Sequence, residues 1–141
     1  MDKYFYFRTV ADEDADDAIT ADSVMMPVSK LRGVIPSNTG AAGTSADEVT
    51  LYFEPVANES SITDNDFIVM DSVLLNVTVG QAKNVCKAIA EAMNGGPHSD
   101  GIIVVADDAT TDYDGSTKAA VYLDTNITAC GAIAIAAAFA D

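Results

Sequence analysis

The sequence has no tryptophan, one histidine, two cysteines and only seven lysine and arginine residues, against 22 aspartates and glutamates. Each scarcity excludes something. Seven scattered bases (Lys3, Arg8, Lys30, Arg32, Lys83, Lys87 and Lys118) make no cluster that would neutralise a phosphate backbone, so direct nucleic-acid binding is not expected. The same deficit disfavours an anionic membrane surface. No apolar run reaches the roughly 18 residues of a membrane span, the longest being the alanine-rich stretch 129–140. The opening Met1-Asp2-Lys3 and Tyr4–Phe7 make too short an apolar core for a secretory signal and soon run into acids. A soluble protein is the expectation. Cys86 and Cys130 both lie in apolar stretches and read as buried free thiols rather than a bridge.

What the chain has in quantity is apolar residues, 49% of 141, and negative charge, a formal net of -15. The length suits a single domain over residues 1–141, able to bury roughly two thirds of its unfolded surface without staples. Strong net charge favours solubility and opposes close approach of like-charged copies.

Along the chain, residues 4–10 read as an aromatic β-strand, followed by the acidic loop Asp12–Asp17. Residues 23–35 read as a broken strand, two short pieces interrupted at Pro27, which cannot donate to a ladder. The Gly/Ser/Thr/Ala segment 36–46 reads as a hairpin tip, and 48–56 as a strand stopping near Pro55. Residues 67–77 are β-rich, with a bend or bulge expected at Asp71 and Ser72. One helix is predicted over about residues 79–93. Thr78 and Gln81 stand at capping-box spacing, and Val79, Ala82, Val85, Cys86, Ile89, Ala90 and Met93 recur along one face. Asn94-Gly95-Gly96-Pro97 ends it. The apolar run 101–105 suits a buried strand, and 119–123 another. For 127–139 the alternation of Ile133 and Ile135 with alanines favours a strand, although alanine is also the best helix former. The order β-β-β-β-α-β-β-β predicts an α+β fold. One helix packs on an antiparallel or mixed sheet, or on a small barrel.

Chemistry is harder to find. His98 has only Ser99 and Asp100 beside it, and adjacent side chains seldom aim at one another, so it reads as a turn residue. A buried pocket joining His98 to Cys86 would be the route to an enzyme. Asp107, Asp108, Asp112 and Asp114, with Gly115, look superficially like a hard-cation loop. The calcium-loop signature fails, because its first position falls on Thr110 and its twelfth on Val121. These four are the metal-ligand candidates, beside the reading of a solvated acidic loop. The three glycosylation-pattern asparagines, Asn58, Asn76 and Asn126, lack an export signal to act on. No cofactor and no catalytic residue is expected.

That leaves surface. Alternation sends Tyr4 and Tyr6 to the face opposite Phe5 and Phe7, and strands 67–70 and 102–105 are apolar on both faces. Subunit packing in a homo-oligomer, a ring or a trimer, is the expectation, with Tyr4, Phe5, Tyr6, Phe7, Ile133, Ile135 and Phe139 as candidate contacts. The segments Tyr4–Arg8, Val24–Gly33 and Pro97–Asp108 together resemble small uncharacterised proteins of marine phages and marine metagenomes. The resemblance implies a structural or decoration-like role beside other virion proteins, in the host cytoplasm during assembly or in the virion. It carries no catalytic residues. A small module that binds a ligand or cation through its acidic loops is the alternative.

Overall fold

The computed structural model describes residues 3–11, 22–40, 45–55, 70–95 and 101–135. His98 and Phe139, and the whole acidic stretch Asp12–Asp17, lie outside them. The described elements run β1 (Tyr4–Arg8), β2 (Ser23–Pro27), a 3-10 turn (Val28–Lys30), β3 (Leu31–Ser37), β4 (Glu48–Phe53), β5 (Asp71–Val77), α1 (Ala82–Met93), β6 (Ile102–Asp107), β7 (Val121–Tyr122) and β8 (Ile127–Ala134). The expected α+β class holds. The strands form two four-stranded sheets, ordered β2-β1-β6-β7 and β3-β4-β5-β8, and the sheets do not close into a barrel.

The first sheet is mixed. β1 pairs antiparallel with β2 and parallel with β6, and β6 pairs antiparallel with β7. The second sheet is antiparallel throughout. Segment 23–35 is indeed two strands, and they belong to different sheets. Pro27 ends β2, the turn Val28–Lys30 redirects the chain, and β3 starts the second sheet. The Val28 N–H donates to Lys3 O (2.9 Å) and the Glu54 N–H to Lys30 O (2.9 Å), so each flank of the turn is held by its own sheet.

The core lies between the inner faces. In β4 and β5 every second residue is buried: Val49, Leu51 and Phe53, then Asp71, Val73, Leu75 and Val77. On the first sheet, Met26, Phe5 and Ile103 form one fully buried row across β2, β1 and β6. Phe5 and Phe7 each meet Phe53 of the facing sheet, with ring centroids 6.2 and 6.1 Å apart and steeply inclined planes. Tilted and edge-on ring contacts at this separation are the favoured aromatic geometry. The three rings therefore join the two sheets.

Helix α1 starts later than its pattern suggests. Thr78–Gly80 form a turn in which the Gln81 N–H donates to Thr78 O (3.0 Å), and Gly80 takes φ +82°. No side chain caps the start of the helix, and Val79 is 63% exposed instead of joining the apolar stripe. The buried face is Ala82, Val85, Ile89 and Ala92. Residues 127–134 are a strand, as their alternation suggested.

Asp71 and Ser72 do not form a bulge. They pair regularly with Phe53 and Tyr52 of β4. Two irregularities lie on the other side of β5: one between the pairs Asn76–Ala129 and Val77–Ile127, and one where Val73 pairs Ile133 and Leu75 pairs Cys130, so that β8 carries an extra residue opposite Leu74. Gly131 sits in that bulge. A Cβ there would come 2.5 Å from Leu74 Cδ2 and 2.9 Å from Leu74 O. The side-chain atom could swing aside, but the carbonyl belongs to the central ladder. Gly131→Ala is therefore expected to destabilise the fold by about 1–3 kcal/mol, the range for overpacking a tight site. Chemical denaturation of the two proteins checks this, and an unchanged midpoint contradicts it.

Candidate functional site

Ionisable groups converge where the second sheet's edge meets the first sheet. β6 ends at Asp107, and the Asp108 N–H donates to Arg8 O (3.0 Å), extending the hold on β1. The Asp108 carboxylate then accepts the Tyr122 hydroxyl (2.6 Å) and the Cys130 N–H (3.0 and 3.2 Å to its two oxygens). Thr9 Oγ1 donates to Cys130 O (3.2 Å). β8 is an edge strand, and an edge strand presents backbone groups with no ladder partner. At Cys130 both of those groups are taken up by side chains of the other sheet. The seam satisfies an edge and ties the sheets together in one arrangement.

The electrostatics suit holding rather than reacting. Burial pushes the Cys130 thiol up to about 12, and the nearby Asp108 charge adds to it. Burial also raises the Tyr122 phenol, followed by its hydrogen bond to Asp108. The Cys86 thiol, half-buried on α1, is raised by burial as well. A thiolate is the reactive form of cysteine, and both thiols keep their protons at neutral pH. They form no disulfide.

The acidic candidates are not drawn into one cluster. Asp108 faces the seam. Asp107 Oδ1 accepts the Ala109 N–H (3.0 Å). Asp112 lies 3.6 Å from Lys118 Nζ. Asp114 accepts the Ser116 N–H (2.9 Å), and its hydrogen bonds to Ser116 hold its carboxyl below the usual range. The turn they occupy closes through the Thr111–Thr117 bridge, with Gly115 at φ +86°. Among the described residues no three His, Cys, Asp or Glu side chains gather as metal ligands.

The candidate contact residues divide. Phe5, Phe7 and Ile133 are core residues, not surface. The facing sheets bury every second position, and that consumes the side chains that seemed in excess for one fold. Ile135 is half-buried against the same core. Tyr4 and Tyr6 do point outward, and pairing gives them neighbours that the sequence reading did not group. One outer row is Pro27, Tyr4 and Ile102, and the next is Met25, Tyr6 and Val104. Tyr4, Met25 and Ile102 are 36, 45 and 37% exposed. These six side chains carry no formal charge at neutral pH. The face ends at the following row, where Arg8 and Asp107 stand side by side. The alternation within Met25-Met26 and Ile102-Ile103 was visible in the chain. The parallel pairing of β1 with β6, which sets the rows side by side, was not.

No family model matches this sequence, and neither does any curated protein or solved structure.

Two outcomes test the seam. Asp108→Ala leaves the Cys130 N–H and the Tyr122 hydroxyl without their acceptor, and is expected to cost about 1–3 kcal/mol in denaturant titration. Asp108→Asn keeps one acceptor oxygen and should cost less. The second outcome concerns pH. The folded chain holds the Cys130 proton more tightly than the unfolded chain does. Its contribution is intact below a pH of about 9.0 and is lost as pH rises toward about 12. Following the unfolding midpoint across that range should show a decline that is shallower in Cys130→Ala.

Proposed function

We propose that the chain is a non-enzymatic structural or assembly protein that associates with further copies of itself through the outer face of the mixed sheet. The observation that carries this reading is the pair of uncharged rows formed by Pro27, Tyr4 and Ile102 and by Met25, Tyr6 and Val104. On a chain with a net charge of -15, these rows are ground on which another copy could settle without bringing carboxylates together. A contiguous apolar patch on a soluble domain usually serves contact. The seam supports the reading from the other side. The thiol and phenol it gathers are held protonated, and the Cys130 backbone N–H and carbonyl are bonded across the sheets, which suits a rigid building block.

Within this proposal the protein is a phage virion or decoration component, assembled in the host cytoplasm as a ring or trimer and placed beside other virion proteins. Among the described residues no helix is long and apolar enough to cross a membrane.

Sedimentation of the wild-type chain should show an oligomer at micromolar concentration. Tyr6→Lys and Met25→Lys should shift it to monomer with little change in thermal midpoint, because both side chains stand on the outer face. A wild-type chain that sediments as a monomer across that range overturns the assembly reading. Proteomics of purified particles tests the virion role separately.

A further inference from the structure

We propose that Asn94 is a site of spontaneous covalent modification, where deamidation converts the end of α1 from a capped to a negatively charged terminus. The chain has seven asparagines, and the residue that follows each decides how easily its side chain can be attacked by the next backbone nitrogen. Asn76 and Asn84 precede valine, Asn126 isoleucine, Asn38 threonine, Asn58 glutamate and Asn65 aspartate. Only Asn94 precedes glycine, whose nitrogen carries no side chain beside it.

The fold leaves this pair open. Asn94 and Gly95 are both exposed just past the last turn of α1. Gly95 takes φ +120°, and among the described residues nothing lies within 4 Å of where its Cβ would stand. Water and base reach the peptide from that side. In the reaction the Gly95 nitrogen loses its proton and bonds to Asn94 Cγ. The side-chain nitrogen leaves as ammonia, taking up that proton, and a five-membered imide remains. Water then adds across either imide C–N bond, giving aspartyl or isoaspartyl at position 94. The sum is amide plus water to carboxylic acid plus ammonia, with no change of oxidation state.

The consequence is local and readable. Asn94 Nδ2 donates to Ala90 O (2.9 Å), and the departing ammonia removes that donor. A carboxylate replaces it at the negative end of the helix dipole, where the last turn has no basic side chain. The isoaspartyl product also inserts an extra backbone carbon just where the Asn94 N–H reaches Ala90 O and Glu91 O (both 3.2 Å). The end of α1 therefore loosens as the protein ages.

The test is to incubate the intact chain in mildly alkaline buffer and map its peptides by mass spectrometry over time. Asn94 should convert several-fold faster than any other asparagine. Gly95→Ala should slow it several-fold. Since alanine is strained at that φ, Asn94→Gln provides a second variant that leaves Gly95 in place, and its longer side chain should hold position 94 unconverted. Asn94→Asp should lower the thermal midpoint relative to wild type. Conversion of another asparagine first, an equal Asn94 rate in wild type and in Gly95→Ala, or a total conversion in Asn94→Gln equal to that of wild type, overturns the site. An unchanged midpoint in Asn94→Asp overturns the loosening of the helix.

Discussion

Three phenylalanine rings hold the two sheets of this protein face to face. Phe5 and Phe7 come from the first strand and Phe53 from the far end of β4, and all three are fully buried. Removing a buried phenylalanine from such a core typically costs about 3–5 kcal/mol, a large share of a domain's whole stability. Every other feature is placed by this contact. It turns the alternate residues Tyr4 and Tyr6 outward, sets the end of β6 beside β8, and leaves the outer face of the mixed sheet uncovered by the second sheet.

A hydrophobic contact is not directional, so it does not by itself choose how one sheet sits over another. The Asp108 seam supplies that choice. Its carboxylate reaches a hydroxyl on its own sheet and a backbone N–H on the other, and Thr9 takes the neighbouring carbonyl. Such partners are costly to leave unmade, which makes a sideways slip of the sheets expensive. The bulge at Gly131 lies next to this point, so the course of β8 and the position of the seam are set together.

The outer face and the seam divide the work of the molecule. The seam commits its polar groups, the Asp108 carboxylate and the Thr9 hydroxyl, to joining the sheets. The outer face, in contrast, lacks charge on a chain that is otherwise rich in it. This contrast connects the architecture to the proposed assembly role, and α1 stands apart from both with its exposed Asn94-Gly95 terminus.

Much of the local structure was legible in the chain. Runs of β-forming apolar residues marked β4 and β5, the alternation of isoleucine with alanine marked β8, the stripe of Ala82, Val85 and Ile89 marked α1, and Pro27 marked the break between β2 and β3. The acidic residues were legible as residues but not as a site. Asp107, Asp108, Asp112 and Asp114 read as one cluster, whereas the fold sends Asp108 to a seam and the others to turn bonds or Lys118. Phe5, Phe7 and Ile133 read as surplus apolar surface because a single sheet could not absorb them, and a second sheet does. By itself, the order of residues determined where strands and the helix run and which side chains share a face, since these follow from periodicities within a few neighbours. Tertiary structure alone decided that β1 lies parallel to β6, that β2 and β3 part company, and that Asp108 meets Cys130. Those pairings join residues far apart in the chain, and their selection rests on the burial of both sheets at once.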